Sequence, residues 1–138
     1  MENSDSEDRL GTVATVIACV FAGLVGVVVG TITTFTHRQS LTLGTLHLPW
    51  GLIVGYLIVI ALVLGFRLVF ASRLIGAASA FGAILASAVL ALPGAGGSVL
   101  VVNDPIGYLW AFGPLLLSAA VLAWPRPGAL GRRHKMEP

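Results

Sequence analysis

Four long stretches without a charged residue dominate this sequence and limit what the chain can fold into. They cover residues 10–36, 49–66, 74–92 and 105–124. Each is close to the roughly 20 mainly apolar residues that a helix needs to cross the hydrocarbon core of a bilayer. The composition agrees, because 57% of the 138 residues are hydrophobic and only 10% are charged, whereas soluble domains carry about 25% charged residues. The sequence therefore predicts an integral membrane protein.

The fold class follows from the hydrogen bonds of the backbone. A chain that crosses lipid must satisfy every amide internally, so it spans as helices or as a closed barrel. The apolar and polar residues do not alternate here as barrel strands require, and we expect an all-α, four-transmembrane-helix bundle. Pro49 and Pro105 suit the first position of a helix, Asp104 suits the N-cap of the fourth helix, and Pro114 lies inside that helix.

The distribution of cations predicts the topology. Short loops rich in Lys and Arg stay on the cytoplasmic side. Seven of the eight cations fall on one side of the predicted membrane and only Arg38 on the other. We therefore expect a multi-pass protein of the plasma (cytoplasmic) membrane with both termini cytoplasmic. A disordered acidic tail is predicted for residues 1–9, the transmembrane domain for 10–125, and a basic cytoplasmic tail for 126–138.

Small residues indicate how the helices pack. Lipid tails are as apolar as leucine, so helices associate where small side chains let the backbones approach. The third span is the richest in such residues and is the predicted centre of the bundle. The residues predicted to pack helices, either within the chain or against a partner, are Gly26, Gly30, Gly51, Gly55, Gly76, Ala80 and Gly82.

Aromatic residues near the ends of the spans are expected to anchor the protein at the membrane surface. Trp50, Tyr108 and Trp110 fall near the outer interface and Trp124 near the inner one, where amphipathic rings prefer to lie. Tyr56 is deeper and needs an interhelical partner for its hydroxyl.

The middle of each predicted span lacks Asp, Glu, Lys, Arg and His. Proton- and ion-coupled transporters keep such a group inside the membrane, and the buried glutamate of the small four-helix multidrug exporters is missing from the first span. A neutral path along hydroxyls and backbone carbonyls stays open as an alternative. No catalytic residue, metal ligand set or cofactor is predicted, and the net charge of +2 reports topology rather than a nucleic-acid partner.

The remaining polar residues gather in the loops of the outer face. They are His37, Arg38, His47, Asn103 and Asp104. Two histidines and a carboxylate suit a metal ion or acid–base chemistry, but the histidines are ten residues apart and lack the short spacing of metal motifs. We favour ordinary interfacial side chains, with Arg38 meeting a lipid phosphate or Asp104. The glycine-rich loop 93–104 lacks the Gly-Lys-Ser/Thr ending of a phosphate-binding loop, and is either a turn or a re-entrant segment.

The segments "LPWG", "GFRLVFASR", "LPGAGGSVLV", "GYLWAFGP" and "LAWP" together resemble a family of small four-helix integral membrane proteins of unknown function from high-GC actinobacteria. The resemblance covers residues 23–125 and is most specific from "GGSVLV" to "LAWP". Members are often encoded beside the deacetylase of mycothiol biosynthesis, which implies by association a link to thiol metabolism or the cell envelope. The family supplies no catalytic residues.

Two functions of different classes remain open from the sequence. The first is a structural or accessory membrane subunit that packs through its Gly/Ala faces against a second copy or a larger membrane protein. The second is a transporter or channel component for a small solute. An enzyme is not expected, because the sequence lacks a clustered nucleophile and base.

Overall fold

The computed structural model describes residues 2–43, 46–93 and 104–125 and contains four long helices. They are α1 (Glu2–Thr36), α2 (Trp50–Val69), α3 (Arg73–Ala91) and α4 (Pro105–Ala123). Each contains a segment long and apolar enough to cross a membrane, which in α1 is Gly11–Thr36. The prediction of an all-α protein with four helices long and apolar enough to span a membrane is therefore confirmed.

The helices alternate in direction. Thr34 of α1 bonds to Ser87 of α3, which lies 53 positions later, and Gly30 lies against Ala83 at the same separation. Constant separation means that α1 and α3 run parallel. Tyr56 and Arg67 of α2 bond to successively later residues of α4, so these two helices are also parallel, and short connections make the two pairs antiparallel to each other.

The bundle has two distinct ends. We call the end where α1 finishes and α2 begins the hairpin end, because a short antiparallel sheet of β1 (Leu41–Leu43) and β2 (Leu46–Leu48) lies between those helices. In this sheet Thr42 pairs with His47. The opposite end, where α2 turns into α3, is the arginine end. The hairpin was not predicted, although alternate leucines in the sequence show the period of two that strands require.

The contact between α1 and α3 is made through backbone rather than side chains. An added Cβ at Gly26 would overlap the carbonyl oxygen of Ser79, and one at Gly82 would overlap the carbonyl oxygen of Gly23. An added Cβ at Gly30 would likewise overlap the backbone of Ala83. Without large side chains between them, the two helices gain dispersion contacts along their whole shared length.

The other predicted packing residues also lie at helix contacts. Gly51 lies against Thr36, Gly55 against the ring of Trp110, and Gly76 against the side chain of Arg67, while Ala80 is 3% exposed. The third helix packs against all three others and has the largest buried share. It is the centre of the bundle, as the sequence predicts.

Two helix limits differ from the predicted ones. The segment expected to be a disordered tail is the start of α1, which begins at Glu2. The second helix continues past Phe66 to Val69, because Arg67 finds hydrogen-bond partners within the bundle and need not leave it.

Candidate functional site

A buried polar layer lies inside the bundle near the hairpin end, and His37 is its most unusual member. This side chain is 1% exposed. Its Nδ1 lies against the carbonyl oxygen of Thr34, and since a carbonyl only accepts, Nδ1 must carry the proton. Nε2 is therefore a bare acceptor in the neutral ring, and it is buried without a hydrogen-bond partner. Burial lowers the pKa of His37, with the nearby Arg38 guanidinium acting in the same direction.

The ring of Trp110 forms the middle of this layer. It is stacked with His37, with ring centroids 5.2 Å apart, and with Tyr56 at 5.8 Å. Trp110 is fully buried and its Nε1 donates to Thr34 Oγ1 at 3.2 Å. The prediction that Trp110 anchors the protein at the membrane surface is wrong, because α4 turns this residue inward to fill the space beside Gly55.

The hydroxyl of Tyr56 has the interhelical partner that the sequence calls for. It donates to the carbonyl oxygen of Leu109 in α4. The absence of a side chain at Gly113 makes room for this ring, since an added Cβ there would overlap it. Tyr56 is the seventh residue of α2 and Trp110 the sixth of α4, which places the layer about 8 Å below the helix starts at 1.5 Å per residue.

Hydroxyl groups connect this layer to α3. Thr34 Oγ1 and Ser87 Oγ lie 2.9 Å apart, Thr34 also contacts the carbonyl oxygen of Gly30 at 2.7 Å, and Ser87 contacts that of Ala83 at 3.0 Å. Two hydroxyl hydrogens therefore serve three contacts. At any moment one of these three oxygen–oxygen contacts has no hydrogen between its atoms. An oxygen of the Thr34–Ser87 pair therefore keeps a lone pair that can accept a further hydrogen bond.

An ion pair at this end of the bundle joins the segment after α1 to the start of α4. Arg38 donates to Asp104 at 2.7 Å, and both side chains are partly exposed, at 41% and 31%. Asp104 is also the N-cap of α4, as predicted, and accepts from the backbone N–H of Gly107 at 2.7 Å. The pKa of Asp104 is lowered mainly by this backbone hydrogen bond and further by Arg38.

Three of the five predicted outer-face residues thus come together, namely His37, Arg38 and Asp104. His37 differs from the interfacial placement favoured by the sequence, because its ring is buried. The side chain of His47 and the whole of Asn103 lie outside the described part of the chain, as do residues 94–103 of the glycine-rich loop.

A second polar cluster lies at the arginine end. Arg67 is 8% exposed and donates to the carbonyl oxygens of Val121 and Trp124 at the end of α4. Arg73 also reaches the Trp124 carbonyl, at 3.4 Å. The last carbonyls of a helix lack donors and carry partial negative charge, so the two cations cap α4. Sequence reasoning placed Arg67 in a loop; the available signal was its position only one residue beyond the apolar run.

Cavities adjoin the described part of the bundle. The first, of about 270 Å³, lies between α3 and α4 towards the hairpin end, and Ser87, Ala88, Trp110 and Ala111 are among its walls. The second, of about 300 Å³, is an apolar groove on α2 near the arginine end, lined by Ala61, Leu62, Gly65, Phe66, Val69 and Phe70. An added Cβ at Gly65 would meet nothing within 4 Å.

The described residues contain no group of three or more His, Cys, Asp or Glu side chains that could hold a metal ion. Comparison with protein-family models, curated proteins and solved structures finds no match to this chain. The helices and their apolar surfaces define the class, a small multi-pass integral membrane protein in contact with the lipid bilayer.

Proposed function

We propose that this protein is an accessory subunit that packs inside the membrane against a larger membrane protein. The observation that carries the proposal is where the close backbone contacts lie. Gly26, Gly30 and Gly82 make close backbone contacts between α1 and α3 of the same chain, so they are not free to contact another protein. Gly65 and its groove, by contrast, face outwards and leave open a place where a helix of another protein can approach closely.

The interior supports a structural role rather than passage of a solute. Most of its hydroxyls bond to carbonyls of their own helix, as Thr33, Thr34 and Ser79 do. The buried Arg67 is held by two carbonyls at one end. Such groups are already satisfied and offer a permeating solute little to replace its water.

A transporter or channel component for a small solute is the second candidate. It is favoured by the polar layer of His37, Thr34 and Ser87, which lies next to a cavity towards the hairpin end. This function predicts solute flux through vesicles that contain the purified protein alone, and loss of that flux in Arg38→Ala or Asp104→Ala. The accessory role predicts no such flux.

The orientation that we propose places both termini in the cytoplasm. Arg67 and Arg73 lie at the end of the bundle where α4 finishes, and Arg38 lies at the other end, so the bias in cation number follows the bundle axis. Cys19→Ser with Ser40→Cys provides a single thiol at the hairpin end. An impermeant maleimide should label it in intact cells, and a C-terminal green fluorescent protein should fluoresce. Failure of labelling would contradict the orientation.

The partner is tested by affinity purification from native membranes in mild detergent. We compare the wild type with Gly65→Leu and with a matched control, Gly11→Leu, since neither glycine has a neighbour within 4 Å that a Cβ would meet. The wild type and Gly11→Leu should retain a stoichiometric larger membrane protein, and Gly65→Leu should lose it while keeping its helicity. Recovery of the wild type alone, or only with further copies of itself, would refute the proposal.

A further inference from the structure

The cavity between α3 and α4 combines an apolar wall with an unused hydrogen-bond acceptor. Ile84, Ala88, Ala91 and Ala111 contribute apolar surface, and Ser87 contributes a hydroxyl. The volume of about 270 Å³ exceeds that of an apolar cavity of roughly 150 Å³ that binds benzene. A molecule of one ring with a substituent therefore fits.

The walls select against charge. Neither Ser87 nor any other residue of this lining is ionisable, and an isolated charge inside a low-dielectric cavity is costly. Arg38 and Asp104, the charged side chains described at this end, already neutralise each other. The occupant is therefore uncharged.

The polar atoms at this cavity call for a hydrogen-bond donor. Ser87 belongs to the hydroxyl chain in which two hydrogens serve three contacts, so its oxygen has a lone pair to offer. Pro114 lines the same cavity inside α4. Because proline has no N–H, the carbonyl of Trp110, four residues earlier, lacks its usual helix donor. The lining of one cavity thus includes a hydroxyl oxygen with a spare lone pair and a proline that removes the usual donor of a nearby carbonyl.

We propose that this cavity is a binding site for a small uncharged molecule that carries a hydroxyl group, with its apolar part between α3 and α4 and its hydroxyl donating to Ser87. The exposed positions of Ala88 and Ala111 open the cavity to the surface of the bundle, so that such a molecule enters from the membrane. This site does not depend on the accessory role proposed above.

The test uses Trp110, which lines the cavity, as the reporter. Trp50→Phe with Trp124→Phe leaves it as the one tryptophan in a chain that has three. The protein is placed in phospholipid nanodiscs and titrated with 4-bromophenol or with bromobenzene, which quench tryptophan on contact. Concentrations are corrected for the partition of each probe into the lipid.

We expect saturable quenching, with half-saturation about threefold to tenfold lower for 4-bromophenol, the factor that one net hydrogen bond supplies. Ser87→Ala should bring the two probes to the same half-saturation. Ala111→Leu should remove saturable quenching, whereas Ala120→Leu, outside the cavity on the same helix, should retain it. Circular dichroism checks that each variant is folded.

Two results would overturn the inference. Quenching that rises linearly with probe concentration and is equal for both probes shows partition into lipid alone. Saturable quenching whose preference for 4-bromophenol survives Ser87→Ala in a folded protein shows that the hydroxyl is bound elsewhere or not at all.

Discussion

The contact between α1 and α3 makes a quantitative prediction about one added methyl group. In Gly82→Ala the new Cβ would lie 2.9 Å from the carbonyl carbon of Gly23 and 3.0 Å from the backbone nitrogen of Val27. Both neighbours are backbone atoms, so no side chain can rotate away. Ordinary carbon contacts lie at about 3.5–4.0 Å, and the new Cβ would also overlap the carbonyl oxygen of Gly23, so the two helices must part by about 1 Å.

The cost of this separation can be estimated. A gap of that size loses about a quarter to a half of the dispersion energy of the contacts that it opens, and overpacking by one methyl group costs about 1–3 kcal/mol. Alanine gains back about 0.8–1 kcal/mol of helix propensity over glycine. Gly82→Ala should thus destabilise the fold by up to about 2 kcal/mol.

The matched control is Gly65→Ala, because an added Cβ at Gly65 meets nothing within 4 Å. This variant keeps the propensity gain and should stabilise the bundle by about 0.5–1 kcal/mol. Equilibrium unfolding by SDS in mixed micelles, followed by circular dichroism, measures both changes. Equal effects of the two substitutions would show that α1 and α3 do not approach as described, and would refute the reasoning from backbone contact.

Three further predictions concern the polar groups. Lowering the pH through the ordinary histidine pKa of 6.5 should destabilise the fold, because the folded state lowers the pKa of His37 and the unfolded chain then binds more protons. The free energy of unfolding of His37→Phe should depend less on pH. A pH dependence that is unchanged in this variant would contradict the prediction. Arg67→Met should destabilise the fold by about 2–3 kcal/mol, since two carbonyls lose a charged donor. Arg73→Met should cost less than about 0.5 kcal/mol, because the contact of Arg73 is exposed and longer. Similar losses of stability in the same unfolding assay would oppose the capping role of Arg67. Asp104→Asn and Arg38→Gln should have small, non-additive effects on unfolding, because each removes the same partly exposed ion pair; additive effects would show that the two residues act separately.

Much of the architecture could be predicted because the bilayer imposes a length and a polarity on each helix. The four apolar runs located the helices, and Asp104 next to Pro105 located the start of α4. The limits of α1 and α2 were less predictable. The extent of a helix beyond the membrane depends on capping and on partners such as those of Arg67, and these are contributed by distant parts of the chain.

The buried layer was not predicted, because it depends on the register between helices. The relevant signal is nevertheless present in the sequence. Small or hydroxyl residues recur every four positions in α1 at Gly26, Gly30 and Thr34, and with the same spacing in α3 at Ser79, Ala83 and Ser87. Pairing the two series in order, with Gly26 opposite Ser79 and Thr34 opposite Ser87, gives the parallel alignment of α1 and α3 that the structure shows. The burial of His37 and Trp110 needs that register and the position of α4 together.

Two ionisable groups are buried among the described side chains, and they bear directly on whether this bundle moves protons. His37 lies near the hairpin end and Arg67 near the arginine end, where its hydrogen bonds reach backbone carbonyls of α4. Tyr56, in the layer of His37, precedes Arg67 by eleven residues of α2, or about 16 Å along the helix axis. Ser79 contacts Gly26 of α1 at a height between the layer of His37 and Arg67. Its hydroxyl already donates to the carbonyl oxygen of Gly76. A proton relay needs groups that exchange hydrogen-bond partners along a continuous chain. His37 and Arg67 are instead held separately, at opposite ends of the bundle. The burial of two ionisable side chains is therefore compatible with an accessory subunit, in which each one fixes the packing of its own end.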